Sequence, residues 1–156
     1  MVCRRLVLSG EIISQVRDTQ QRVNAEGGMP LTNIVFMGMG EPLANYKNLV
    51  SAINIITDNN VGLRFASRRV TVSTAGLVSK ITALGRDTRV NLAVSLNATD
   101  DTTRNRLMPI NRKYPVDKLL QACRQYVPAP GRRITFEYIL IKGINDSTAD
   151  ADRLAK

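Results

Sequence analysis

The residues best suited to chemistry in this sequence sit at the ends of apolar runs. The stretch VFMGMGEPLANY, Val35 to Tyr46, starts as a buried strand and ends as a turn into a helix, with Gly38, Gly40, Glu41 and Pro42 at its tip. Glycine weakens a strand unless the backbone must bend or a ligand must come close. A dinucleotide fingerprint fails here, because its third glycine would fall on Leu43, and no Gly-Lys-Ser or Gly-Lys-Thr occurs to cradle a phosphate. The residue types point instead to a backbone-lined site for an amino acid or a nucleoside. Gly40 bares main-chain groups, Glu41 supplies acceptors for an ammonium or a hydroxyl, and Pro42 stiffens the exit. Ser73 and Ser95, at the ends of later strand-like runs, could bind carboxylate or ribose oxygens, although each alone also reads as ordinary strand-end polarity.

The elements that must position these residues alternate in type. Ser9-Gly10-Glu11 opens a helix with Ile12, Ile13, Val16 and Val23 on roughly one face, broken by Gly27-Gly28-Met29-Pro30. Asn33 to Met37 reads as a strand, and from Asn45 the residues Tyr46, Leu49, Val50, Ile53 and Ile56 repeat at helical spacing. The unit recurs with a strand over Arg69 to Ser73 and a helix through Leu77, Val78, Ile81 and Leu84. A third strand spans Val90 to Leu96, followed by a polar helical turn opened by Asp100-Asp101-Thr102. Pro115 reads as the first residue of a helix carrying Val116, Leu119, Leu120, Cys123 and Val127, closed by Pro128-Ala129-Pro130-Gly131. A fourth strand covers Arg133 to Ile141, and Asn145-Asp146-Ser147 begins a last helix. The sequence therefore predicts an α/β fold of about four parallel strands with right-handed crossovers and flanking helices, whose C-terminal strand ends share one rim.

Composition narrows the partners. The 156 residues fit one domain, and 22 Lys and Arg against 13 Asp and Glu give a net charge of +9, which favours a polyanion. Arg104, Arg106, Arg112 and Lys113, in the loop RNRLMPINRKY with its tyrosine, are the candidate RNA-binding residues, able to meet phosphates and stack a base. The same loop also reads as a solvated charged surface. No apolar run approaches the ~20 residues needed to cross a membrane and no signal peptide is evident, so the expected location is cytoplasmic. Two cysteines and no histidine make a metal site from this chain alone improbable, and Cys123 falls on an apolar helical stripe as a core residue.

The strings NIVFMGMGEPLANY, RRVTVSTAGLV, VNLAVSLNATDD, RNRLMPINRKYP and RRITFEYILIKGINDS, in this order, closely resemble the radical S-adenosylmethionine enzymes of the RlmN/Cfr type, which methylate carbon 2 of adenine in 23S ribosomal RNA and in some transfer RNAs. The resemblance runs over nearly the whole chain. It implies part of a radical-SAM partial TIM barrel, with Gly40 and Glu41 at the methionine end of S-adenosylmethionine and Ser73, Ser95 and Asn97 holding the rest. Asn97 stands where the family usually has histidine, so it can hydrogen-bond but cannot titrate near neutrality.

The family chemistry implied is reductive cleavage of the cofactor at a 4Fe–4S cluster, hydrogen abstraction from a methyl group carried on a cysteine, and addition of the resulting carbon radical to adenine. The cluster is held by Cys-x3-Cys-x2-Cys ahead of the segment resembling Arg4 to Val16. Here Cys3 stands alone and after the place of the last cluster cysteine, and one thiolate cannot replace three. The expectation is a single partial barrel domain over 1–156, the central units without the first and last. It has no catalytic or metal residue of its own, is inactive in isolation, and is prone to homo-oligomerise through open barrel edges. The alternatives are a non-catalytic module binding RNA or S-adenosylmethionine, and a small enzyme of unrelated chemistry using Glu41 as a base.

Overall fold

The computed structural model describes residues 5–37, 40–126 and 133–155. Four parallel strands, β1 (Ile34–Phe36), β2 (Val70–Thr74), β3 (Asn91–Ser95) and β4 (Ile134–Glu137), form one sheet in the order β1-β2-β3-β4. The helices are α1 (Ser9–Ala25), α2 (Tyr46–Thr57), α3 (Val78–Asp87), α4 (Asp101–Leu107), α5 (Val116–Gln125) and α6 (Thr148–Leu154). Sequential strands lie side by side because each crossover carries a helix that returns the chain parallel to the strand it left.

Alternation along the strands assigns the two faces of the sheet. Val70 and Val72 of β2 and Leu92 and Val94 of β3 are completely buried against the helices. They meet Leu49, Ile53 and Ile56 of α2, Ile81 and Leu84 of α3, and Leu119 and Cys123 of α5 in one core. The opposite parity, Thr71 and Ser73 paired in register with Asn91 and Ala93, then Thr135 beside Ala93 and Glu137 beside Ser95, faces away from those helices. An apolar face thus fixes the sheet, which leaves a largely polar face for other work. The helix α1 buries no residue fully; Ile12, Ile13 and Val16 rest partly covered against the core cluster.

Boundaries differ from the sequence reading where side chains compete for the backbone. Leu8, rather than Ser9, caps α1, because the Glu11 carboxylate takes the Leu8 N–H at 2.8 Å. Pro115 is the cap of α5 and Val116 its first residue. The fourth strand ends at Glu137, short of Ile141. Buried Asn145 draws the chain off the sheet there, accepting from the Ile141 N–H at 2.7 Å and donating to the carbonyls of Ile139 at 2.8 Å and Asn97 at 2.7 Å. The expected helix stop at residues 128–131 lies outside the described residues. Among the described residues no helix is long and apolar enough to cross a membrane.

Ile53 is 1% exposed at the centre of this core. Ile53→Ala should cost about 2–5 kcal/mol in urea denaturation; a loss below about 0.5 kcal/mol would mean that α2 does not pack as described.

Candidate functional site

The C-terminal ends of the four strands converge on one rim, and hydrogen bonds between loops hold them in place. Glu41, at the exit of β1, is a staple. Its Oε1 accepts from the Leu43 N–H at 2.9 Å and the Thr74 hydroxyl at 3.0 Å, while Oε2 accepts from the Ala75 N–H at 2.8 Å. Bonds to an ionised carboxylate are the strong kind, so the tip of β1 is tied to the tip of β2. Thr74 passes the connection on, its hydroxyl oxygen accepting from the N–H groups of Gly76 at 3.0 Å and Leu77 at 3.3 Å. Beside the staple, Gly40 is exposed, and a Cβ built on it would meet no atom within 4 Å. Neither internal packing nor a left-handed backbone requires glycine there, and the position is open to approach from outside. Gly38 lies outside the described residues.

Ser73 and Ser95 are brought together on the polar face. Both hydroxyls donate to one oxygen of Glu137, Ser95 at 3.1 Å and Ser73 at 3.4 Å. The sequence reading missed Glu137. Its signal was a lone acid inside the run ITFEYILI, on the same strand parity as Thr135.

Asn97 adopts a left-handed conformation with φ of 57°, one that asparagine tolerates better than most residues. Its Oδ1 accepts from the Ile139 N–H at 3.0 Å and its Nδ2 points to the Met108 sulfur at 3.3 Å. The side chain therefore shapes the turn after β3, and its amide is engaged within the protein.

Arg104 overturns an expectation. It was placed among the RNA-binding cations, but it is completely buried. Its Nε donates to the Leu96 carbonyl at 2.9 Å and its Nη1 to Asn111 Oδ1 at 2.9 Å. Its Nη2 donates to the carbonyls of Ala75 at 2.9 Å and Ser95 at 3.1 Å. The fixed fork of the guanidinium suits this task, since it presents five donors in one plane. Gly76 makes room for it: at φ of 109°, a Cβ would stand 3.3 Å from Arg104 Nη2.

Asn111, itself 1% exposed, links the guanidinium to a carboxylate through its Nδ2, which donates to Asp101 Oδ1 at 2.9 Å. The Val116 N–H, then the Asn111 amide and the Arg104 charge, hold the Asp101 carboxyl below its ordinary range. Arg106, Arg112 and Lys113 are exposed on the same loop. Lys113 Nζ lies 5.4 Å from the centre of the Tyr114 ring, whose hydroxyl donates to Ser79 Oγ at 3.1 Å. One face of that ring is thus already taken.

With this geometry in view, similarity to known proteins is informative. Residues 15–155 match the Radical SAM superfamily. The chain is 52% identical over 151 residues to the dual-specificity RNA methyltransferase RlmN of Anaeromyxobacter dehalogenans, covering 94% of this chain and 40% of that protein. It is 60% identical over 126 residues to RlmN of Desulfosudis oleivorans, covering 81% of this chain and 34% of that protein. The crystal structure of a radical SAM methyltransferase from Sphaerobacter thermophilus matches with a TM-score of 0.89 at 48% identity, over 97% of this chain and 44% of that one. The chain spans about two fifths or less of the length of these curated relatives.

Arg104→Lys keeps the charge but not the fork, and should leave buried carbonyls at the tips of β2 and β3 without donors. The expected loss is about 2 kcal/mol or more in urea denaturation. A variant within about 0.5 kcal/mol of the parent would show that the four contacts do not hold the tips.

Proposed function

This chain belongs to the radical SAM superfamily, in its RlmN/Cfr-type methyltransferase family, and from that premise we propose that the tips of β1 to β4 form the shelf on which S-adenosylmethionine is positioned. The reaction served is methylation of carbon 2 of an adenine in 23S ribosomal RNA and in some transfer RNAs. The observation that carries the reading is the open space at Gly40 beside a carboxylate already fixed by three hydrogen bonds. A preset backbone edge of this kind receives the amino-acid end of a ligand without reorganising.

Each residue then has a defined task. Gly40 offers bare main chain, and Glu41 keeps that edge rigid through its bonds to Leu43, Thr74 and Ala75. Ser73 and Ser95 line the polar face next to the shelf, and Asn97 holds the turn after β3. When bound, S-adenosylmethionine supplies an activated sulfonium carbon; the residues of this stretch orient it.

A 4Fe–4S cluster does not fit the described residues. Cys123 is their one cysteine, 4% exposed, with burial pushing its thiol up to about 11. No group of three His, Cys, Asp or Glu among them could hold a metal ion. The role assigned to this stretch is cofactor positioning. Unpaired edges at β1 and β4, with Val35 and Met37 54% and 59% exposed, favour its self-association.

The exposed Arg106, Arg112 and Lys113 form an RNA-facing rim beside the shelf. Arg104 is excluded from that rim by its burial.

Gly40→Val should lower affinity for S-adenosylmethionine at least about tenfold in isothermal titration, since the added side chain occupies the approach, with the unfolding midpoint unchanged because nothing in the protein is displaced. Undiminished binding would remove the shelf from Gly40. For the rim, a short adenine-containing RNA should bind with log K falling linearly against log salt, and Arg106→Ala with Arg112→Ala should flatten that slope by about 1–2; an unchanged slope would place the RNA elsewhere.

A further inference from the structure

The opposite edge of the sheet carries a second set of cations. Parallel strands share their N-terminal ends as well as their tips, and the entries to β2, β3 and β4 are all marked by arginine. Arg68 and Arg69 stand directly before Val70, Arg89 two residues before Asn91, and Arg133 directly before Ile134. Arg64 lies in the loop that leads from α2 to this edge. All five are exposed. Among the described residues none of them forms an ion pair, and none of their side chains has a hydrogen-bond partner. Few acids are at hand to neutralise them, since between Glu41 and Asp100 only Asp58 and Asp87 occur. Both are engaged: Asp58 Oδ1 accepts from the N–H groups of Asn60 and Val61, each at 2.8 Å, and Asp87 Oδ2 from the Tyr46 hydroxyl at 2.7 Å.

The fold fixes the backbone beneath this array. The Asn91 side chain donates to the Arg68 carbonyl at 2.7 Å and accepts from the Arg133 N–H at 3.0 Å, so one amide ties the entries of β2 and β4 across β3. With about 4.8 Å between neighbouring strands, those entries form a row about 10 Å long. Arg64 adds local strain. Its φ is 61°, a left-handed conformation that crowds the Cβ of an arginine and that glycine adopts freely. Like charges gathered without counter-charges also oppose the compact state. Neither feature helps the chain to fold, and an anion arriving from outside relieves the second.

The residue types describe that anion. All five are arginines, whose planar fork takes a phosphate through two N–H groups at once. The aromatic residue among them, Phe65, is buried and offers no ring on which to stack a base. Contact with phosphates alone suits double-stranded RNA, which is recognised by its shape and backbone rather than by its base edges.

Taking RNA as the partner from the reading above, we infer that the strand-entry edge of the sheet is a second RNA contact, where Arg64, Arg68, Arg69, Arg89 and Arg133 grip the sugar–phosphate backbone of a duplex segment. The strands β2 and β3 are five residues long, so roughly 16 Å of strand separates this edge from the tips. The two edges face apart, and an RNA that touches both must be folded or branched.

The test follows binding by fluorescence anisotropy across a salt series, with a short RNA duplex and with the short single-stranded RNA that probes the rim. It compares the parent chain with the triple variant Arg68→Ala, Arg69→Ala, Arg133→Ala and with Arg64→Gly. In the triple variant the slope of log K against log salt for the duplex should flatten by about 2–3, while affinity for the single strand changes less than about threefold. The Asn91 bridge uses only backbone groups of Arg68 and Arg133, so the urea midpoint should stay where it is. Arg64→Gly should bind the duplex about 3- to 10-fold more weakly and yet unfold at higher urea, because it removes a phosphate contact and a strained backbone together.

An unchanged duplex slope in the triple variant would overturn this surface and leave the rim standing, since Arg106 and Arg112 are intact in that protein. Equal losses for duplex and single strand would overturn the assignment to double-stranded RNA. A lowered urea midpoint in Arg64→Gly would mean that the strained arginine serves the fold, against the inference, and this variant decides the matter if the triple variant does not fold. Tighter binding of the parent to phosphatidylglycerol vesicles than to the duplex would replace RNA by a membrane surface. A parent chain that binds neither RNA would sink this surface and the rim together.

Discussion

Everything at the strand tips depends on one buried cation. Arg104 reaches from α4 beneath the loops after β2 and β3, and its guanidinium satisfies carbonyls of Ala75, Ser95 and Leu96 that the sheet ladder cannot reach. Parallel strands end in loops that diverge toward different helices, so their last carbonyls point into the fold without partners. A planar fork with donors on both edges can serve two such loops at once. Burying its charge is tolerable because Asn111 relays it to the Asp101 carboxylate and because four of its direct partners are fixed oxygen dipoles. The glycine at 76 leaves room for both Arg104 and Leu119 at a positive φ, and the asparagine at 111 completes the hydrogen bonds of the arginine.

Above that clamp, the polar groups of the rim are arranged by carboxylates. Glu41 links β1 to β2 through three hydrogen bonds, and Glu137 links β4 to β3 and β2 through two serines. The two acids differ in a way that matters for function. Both oxygens of Glu41 accept from the protein, whereas among the described residues only Oε2 of Glu137 does. Among the described residues neither carboxylate is ion-paired, and Arg106, Arg112 and Lys113 are exposed on the loop after α4.

Much of the fold could be read from the sequence because period-two and period-3.6 patterns describe local geometry that the core then enforces. Val70, Val72, Leu92 and Val94 alternate as strand residues should, and all four are buried. The parallel order follows from the helix between each pair. What could not be read was decided by partners distant in the chain. Arg104 sits among Arg106, Arg112 and Lys113 in a run that looks uniformly solvated, and its burial is fixed by carbonyls 8 to 29 residues away. The apolar run to Ile141 looks like strand throughout, but side-chain oxygens of Asn97 and Asn145 take the N–H groups of Ile139 and Ile141. Asn97 was legible as a polar strand-end residue and not as a turn former, since only the positive φ reveals the latter. Glu137 was visible as a misfit acid, yet the two serines that meet on it lie 42 and 64 residues away in the chain.

The central claim is that the strand tips are held as one preformed edge by the Arg104 guanidinium. Hydrogen exchange of the Arg104 Nε–H, followed by nitrogen-15 NMR at neutral pH, measures this directly. The account predicts protection comparable to the amides of β2 and β3, because the proton can be released only when those strands open. Exchange as fast as that of an exposed arginine would mean that the guanidinium is not clamped between the loops, and the rim would lose its physical basis.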